Sequence, residues 1–513
     1  MADLTSLLRD VRGLYSDRGR DQLPAGSVWE LSDWVPLLVQ AGARIRGAWT
    51  YQSAPLPNIP DAMVYATFLA GPKLLVANGS VLSDIPLTGT PPTTPVATQP
   101  IVKTKQSPIM HRDKLIVPAG DGTSNARVIS WNGTAWTVAN TPGAPSGAYP
   151  AVGMYACVFK DRTVLANSAA NPSLVVWSPP GDPLGTTTGY GGTYDAQSFN
   201  FTSFPIKGLA AQRAQILCFH DSSVERLRGT TPADSHLPPA QSAGDLILDV
   251  LWDRAGCYDA RSIALWQDNV IFADARGIHL TDGSLVRNMT VQGGVINAWH
   301  QAFNRGGKPP DSVCGGVYRD YYLCSIRHET APGSGVLAFP PDMFVIDIPT
   351  RRIFTFGNID SVSFTFSVGT TEQFFGTNQA TKQVTDLTRT FDPDNTKLQI
   401  DGNNAPVLPA ISTGWNLLTK KPGFKRVIEA QITYQADRDD DSDTLQAYYS
   451  NSPIGADRPL TQLHSSKDLI RRPVAIRRRM EGLAMRLAQT QPTKDTRLFD
   501  ISVRAYAEQE SRT

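Results

Sequence analysis

Cysteine is scarce in this chain: five in 513 residues, at positions 157, 218, 257, 314 and 324, with no CxxC spacing. An odd count without metal-box spacing argues against a disulfide framework and against a structural zinc site. Buried, reduced thiols are the expectation. Charge is also sparse: Asp, Glu, Lys and Arg make up 19% of residues, and the formal net charge is +1. No global field would draw the chain to nucleic acid or to an anionic membrane. No run approaches the ~18 apolar residues of a membrane-spanning helix. The start, MADLTSLLRDVRG, has early acidic residues and no apolar core of the signal-peptide kind, so production in a cytoplasm is expected.

Catalytic signatures are missing as well. The sequence has no GxSxG, P-loop or HExxH, and no GxGxxG beside a strand. The seven histidines (His111, His220, His236, His279, His300, His328, His464) never fall at ligand spacing. A glycosidase-like carboxylate pair remains conceivable, because a ring-shaped fold can gather distant residues on its axis. Each turn aspartate has the simpler task of capping a hairpin.

What the sequence does have is a recurring phrase: a turn with a charged or polar residue, a buried strand, a few small or polar residues, then another strand. It reads RDKLIVPAG from Arg112, KDRTVLANS from Lys160, QRAQILCFH from Gln212, QDNVIFADA from Gln267, RDYYLCSIR from Arg319 and TEQFFGTN from Thr371. GPKLLVANG from Gly71 is an earlier copy. The turn residues Asp113, Asp161, Arg213, Asp268, Asp320 and Glu372 are 48, 52, 55, 52 and 52 positions apart. This period in a strand-rich chain predicts a β-propeller of six or seven four-stranded blades. Asn132-Gly133, between RVISW and TAWTV, predicts a hairpin. So does MFVIDIPTRRIFTFG, turning at Pro349-Thr350.

The pattern divides the chain into residues 1–46, an N-terminal arm and closing segment; 47–395, the propeller; and 396–513, a C-terminal antiparallel β-sandwich. A short helix is expected over Leu4 to Leu14, with Trp29 and Trp34 as later anchors. RIRGAWTYQS (Arg44 to Ser53) alternates like a strand and is placed to complete the last blade. Helical periodicity is nearly absent from the repeats. Sandwich strands are expected at 425–434, 444–450, 473–479, 482–490 and 497–507, the last with Phe499, Ile501, Val503 and Ala505 on one face. Proline- and glycine-rich stretches, such as 86–100, 178–192, 230–244 and 304–312, are expected to be surface loops offering contacts to neighbouring subunits.

Two local clusters stand out. Asp437, Asp439, Asp441 and Asp443 alternate as in a calcium loop, but Ser442 and Tyr448 break the EF-hand pattern, so a solvated hairpin loop is the default. Basic residues gather in the last segment, among them Lys420, Lys421, Arg471, Arg472, Arg477, Arg478 and Arg479. They suit phosphate contact, docking on another subunit, or plain solvation. No aromatic residues interleave with the arginines to stack bases.

The opening LPAGSVWELSDWVPLL…GARIRGAWTYQS resembles the start of tailed-bacteriophage virion propeller proteins, of which the podovirus tail nozzle is best known. The closing TGWNLLTKKPGFKRVIEAQITY…RRRMEGLAMRLAQT is similar to their tail-proximal domain. The resemblance covers the first ~50 and last ~100 residues. It implies a virion structural protein with no catalytic residues and no cofactor. Such a protein would form a ring of several copies, six being expected, in the tail or head–tail connector. Its partners would be copies of itself, other tail or connector proteins, and genomic DNA passing through the lumen without sequence-specific binding, with no membrane. The alternative is a receptor-binding or glycan-degrading propeller.

Overall fold

The computed structural model describes residues 48–87, 98–141, 151–184, 193–195, 204–229, 245–332, 334, 336–339, 342–357, 359–367 and 372–391. Of the terminal segments it describes residues 3–8, 14, 28–32, 34–36, 43–45, 410–413, 416–417, 425–436, 443–450, 457–464, 470–480, 482–489 and 496–507.

The repeat phrase has a simple physical origin. Its strands read as unbroken apolar runs because both faces are buried between neighbouring sheets. In Gly71–Asn78, Leu75 and Ala77 face one neighbour while Leu74 and Val76 face the other. In Gln215–Phe219, Ile216 and Cys218 pack one way, Leu217 and Phe219 the other. A sheet buried on both faces and repeated seven times closes into a ring.

Seven four-stranded antiparallel units result. Blade 1 is Pro60–Phe68, Gly71–Asn78, Val81–Ile85 and Thr98–Pro100. Blade 2 is Ile109–His111, Lys114–Val117, Arg127–Trp131 and Trp136–Asn140. Blade 3 is Tyr155–Phe159, Arg162–Ala166, Leu174–Trp177 and Thr193–Asp195. Blade 4 is Gly208–Gln212, Gln215–Phe219, Val224–Arg228 and Ile247–Trp252. Blade 5 is Ala264–Trp266, Asn269–Asp274, Gly277–Thr281 and Val286–Asn288. Blade 6 is Ser312–Tyr318, Tyr321–Arg327, Asp342–Asp347 and Arg352–Phe356. Blade 7 takes Phe364–Ser367, Gln373–Asn378 and Gln383–Asp386 from the end of the repeats and Thr50–Tyr51 from before them. Consecutive blades touch around the full circle through their first strands, except that the first strand of blade 4 meets Asn269–Asp274 of blade 5, and blade 7 meets blade 1. The fold is a seven-bladed β-propeller with a C-terminal β-sandwich.

The closing strand lies within the segment Arg44 to Ser53, as its alternation predicts. Tyr51 pairs with Thr385 and Thr50 with Asp386. Beyond the ladder, Gln52 N donates to Val384 O (2.8 Å) and Leu56 N to Lys382 O (2.6 Å). Ser53 adds a hydroxyl that accepts from Val384 N at 2.9 Å. Met63 N and Tyr65 N of blade 1 donate to the Ser363 and Thr365 hydroxyls at 2.9 and 3.0 Å.

The terminal segments depart from expectation in two ways. The helix expected over Leu4 to Leu14 is absent. Asp3–Leu8 is a strand paired with Thr496–Ala507, because the long last strand offers a ladder that a short isolated helix cannot match. Residues 28–45 supply further strands: Trp34–Pro36 and Ala43–Ile45 extend the same sheet, and Trp34 is fully buried. Val28–Ser32 lies between blade 6 and the sandwich. It is parallel to the outer strand of blade 6 at Ser32–Thr355 and antiparallel to Ala410–Thr413. Blade 6 thereby continues into a ten-stranded sheet that includes half the sandwich. One apolar core joins Phe344, Phe354 and Phe356 of blade 6 to Ile411, Tyr434, Met485 and Ile501 of the sandwich.

Arg458–His464 is a sandwich strand that the sequence does not announce. In the last strand a register irregularity opposite Thr433 and Tyr434 shifts the alternation, so Leu498 is buried together with Ile501 and Val503. Two short helices, Met289–Gln292 and Ile296–Phe303, interrupt the repeats after blade 5. The buried Val295, Trp299, Ala302 and Phe303 lie at helical spacing, the signal that marks the second of them. Much of the proline-rich segments 86–100 and 178–192, and all of 230–244, lies outside the described residues.

Ser53→Ala leaves Val384 N without its side-chain acceptor at the ring's closing joint. A loss of about 1 kcal/mol is expected, read as a lower urea midpoint at unchanged slope.

Candidate functional site

A propeller offers three places for function: its axis and its two faces. The axis holds a cavity of about 460 Å³, lined by the first strands of blades 2 to 7 and the segments just before them. Its walls are mostly small or apolar, with Ile109, Val158, Leu209, Val317 and Phe364 among them. Among the described residues Arg261 is the one charged side chain lining it, and no aspartate or glutamate does. Asp259, which caps the short 3-10 turn Ala260–Ser262, grips that guanidinium through both oxygens at 2.6–3.1 Å. A space of this size takes a small molecule. It does not pass a nucleic-acid duplex, so the axis of one propeller is not a DNA channel; any such lumen lies between subunits.

The face where the first strands begin is tied by buried polar groups. Arg327, at the end of the second strand of blade 6, is fully buried. It donates to Asp360, Glu329 and Gln379, with Nη1 at 2.8 Å from Glu329 Oε1. Gln379 Nε2 in turn donates to Pro60 O of blade 1 at 3.1 Å. The cluster therefore spans blades 6, 7 and 1. Burial pushes the Asp360 carboxyl up, against the pull of Arg327.

The opposite face carries the turns of the repeat phrase, and their charges connect blade to blade. Arg112 pairs with Asp161 (Nε–Oδ1 2.8 Å), Arg213 with Asp268 (2.7 Å) and Arg319 with Glu372 (3.4 Å). Leu69 N donates to Asp113 at 2.6 Å and Trp266 Nε1 to Asp320 at 3.1 Å. The turn's first residue takes positive φ at Arg112, Lys160, Arg213, Gln267 and Arg319. Two turns carry alanine in place of the acidic residue: Leu69-Ala70 in blade 1 and Arg213-Ala214 in blade 4. In blade 4 the position equivalent to Asp113 and Asp161 is therefore Ala214, and the sequence alignment through Arg213 is one residue out of phase.

The histidines of the blades serve packing. His111 bonds Thr163 Oγ1 (2.7 Å) and Asp161, His220 bonds Glu225 (3.0 Å), His279 bonds Asp274 (2.8 Å) and His328 bonds Ala302 O (2.8 Å). All five cysteines are buried and unpaired. Burial raises their thiols, Cys157 and Cys324 to about 12, so none is a nucleophile at neutral pH.

Of the calcium candidates, Asp437, Asp439 and Asp441 lie outside the described residues, and Asp443 opens a strand opposite His464. Among the described residues no group of three or more His, Cys, Asp or Glu is placed to hold a metal ion. Lys420 and Lys421 lie outside the described residues. Arg471, Arg472, Arg477, Arg478 and Arg479 all fall on Ile470–Met480, an edge strand of the sandwich, with Arg472 opposite Ile432 and Arg479 opposite Arg426. Arginines and Pro473 on an edge strand discourage uncontrolled strand pairing.

No family model and no curated protein matches the chain. Among solved structures it is similar to a chain of "Crystal Structure of Mitotic Checkpoint Complex" at 9% identity and TM-score 0.38, covering 65% of this chain and 92% of that one. It is similar also to "Crystal Structure of the N-terminal Domain of Nup159" at 7% identity and TM-score 0.34, covering 69% and 97%. The fold assignment rests on the sheet topology described above.

Two outcomes follow. Arg327→Ala removes the guanidinium that the buried Asp360 and Glu329 share and should cost about 3–5 kcal/mol in equilibrium unfolding. Asp282, held by the Ser284 hydroxyl and the Ser284 and Leu285 amides, titrates at about 2 against 3.8 for a free carboxyl. Its contribution is complete above pH 3.8 and lost as the pH falls toward 2, so Asp282→Asn should melt with a shallower dependence on pH across that window.

Proposed function

We propose that the chain is a structural subunit of a tailed-bacteriophage virion. It builds a ring of several copies, six being expected, in the tail or the head–tail connector, around the channel through which DNA passes. The observation that carries this reading is the fusion of propeller and sandwich through one continuous sheet and one apolar core, with strands from both ends of the chain. The product is a stiff two-lobed block suited to assembly.

The resemblance of the first ~50 and last ~100 residues to virion propeller proteins supplies the context. The axial cavity favours the same side of the choice. A glycan-degrading propeller needs two carboxylates and aromatic platforms at one mouth, whereas among the described residues no carboxylate lines this cavity. No catalytic role and no cofactor enter the reading. Among the described residues no helix is long and apolar enough to cross a membrane. Contacts repeated around a ring add through multivalency, so each need only be weak.

The test is direct. Purified protein, alone and mixed with neighbouring tail or connector proteins, is examined by light scattering and negative-stain electron microscopy. Closed rings are expected. Monomers in solution and in particles alike would overturn the reading.

A further inference from the structure

On the turn face two junctions lack the turn carboxylate: 7/1, where the turn of blade 1 is Leu69-Ala70, and 3/4. At the junctions 1/2, 2/3, 4/5, 5/6 and 6/7 a carboxylate of the following turn accepts a bond from the preceding one. At junction 3/4 the residue in that position is Ala214. Lys160, which takes the donor's role, reaches only a carbonyl oxygen, Gly229 O at 2.9 Å, and the ring of Phe159. A cavity of about 410 Å³ opens at this point. Among the described residues it is lined by Lys160, Arg213, Ala214, Gln215, Arg228 and Gly229, three cations and no carboxylate.

The local balance is positive. Arg213 is paired with Asp268, and Arg226 and Arg228 share Asp249. Asp282 acts on Arg213 from further off. Arg287 acts on Asp282 in turn, so these three carboxylates do not balance Lys160, Arg213, Arg226, Arg228 and Arg287, and the cluster is positive.

We propose that this cavity binds a phosphate group, in the first instance the phosphodiester of a nucleic-acid strand. A phosphodiester carries a negative charge, which the local surplus of positive charge attracts. Its free oxygens accept from an ammonium and from guanidinium forks at once, which a neutral ligand cannot do. The missing carboxylate of blade 4 is then the vacancy that the ligand's anion fills. The inference deepens the ring reading by naming residues that meet DNA, and it places the turn face of blades 3 and 4 toward the channel.

The decisive variant restores the missing rung. Ala214→Asp offers Lys160 an internal partner of the kind that blades 2, 3, 5, 6 and 7 possess. Inorganic phosphate is titrated calorimetrically, and a fluorescent single-stranded oligonucleotide by anisotropy, both against chloride at matched ionic strength. The parent protein should bind both. Ala214→Asp should melt no lower than the parent yet bind about tenfold more weakly, and Lys160→Ala should weaken binding alike. Equal affinity in parent and Ala214→Asp would overturn the proposal. So would loss of assembly in Ala214→Asp with phosphate binding unchanged, which would assign the cavity to an acidic side chain of a neighbouring copy. Ring formation is read separately by light scattering, so failure of the phosphate site is distinguishable from failure of the ring reading.

Discussion

The structure depends on two residue pairs, Tyr51 with Thr385 and Thr50 with Asp386. Without them blade 7 is a three-stranded sheet with an open edge, and the circle has a seam. The pairs join positions more than 300 residues apart, so the last blade forms only when the chain's beginning returns to it. The segment is reinforced accordingly. Ser53 is inserted between Gln383 and Val384, and the Arg327 cluster crosses the same joint on the face where the first strands begin. Such non-local closure is slow to form, and it couples every blade to its neighbours once made.

Between the blades the adhesive is apolar. Each of the smaller cores belongs to one interface: Leu75 and Leu115 between blades 1 and 2, Leu165 with Val128 between 2 and 3, Trp177 and Ile216 between 3 and 4, Phe219 with Phe272 between 4 and 5. The largest runs through blades 5, 6 and 7 into the sandwich. Burial on both sheet faces explains why the repeats lack alternation and why they are easy to recognise as repeats.

The ring was therefore legible from the sequence. The apolar runs and their turns recur because the physics of a blade demands them, and Thr50–Tyr51, within the alternating segment Arg44 to Ser53, closes the last blade. The sandwich was legible in outline, through strands such as Lys425–Ala436. The detail was not. Register irregularities flip faces without a local signal, as at Leu498, and Asp3–Leu8 is a strand only because Thr496–Ala507 lies beside it. The candidate site was hidden for a similar reason. Aligning Arg213 with the turn aspartates concealed Ala214, and only the hairpin register shows that a carboxylate is missing there. The convergence of Lys160, Arg213 and Arg228 spans two blades and has no footprint in sequence spacing.

The parallel contact of Ser32 with Thr355 has a mechanical consequence. A linker between lobes would act as a hinge, dissipating load in bending. Here a strand lies between the outer edge of blade 6 and the sandwich, held at Ser32–Thr355 on one side and along four residue pairs of Ala410–Thr413 on the other, and one apolar core continues beneath it. The two lobes must tilt together, and a push delivered at the sandwich would arrive at the rim of the disc as a rotation of the whole body.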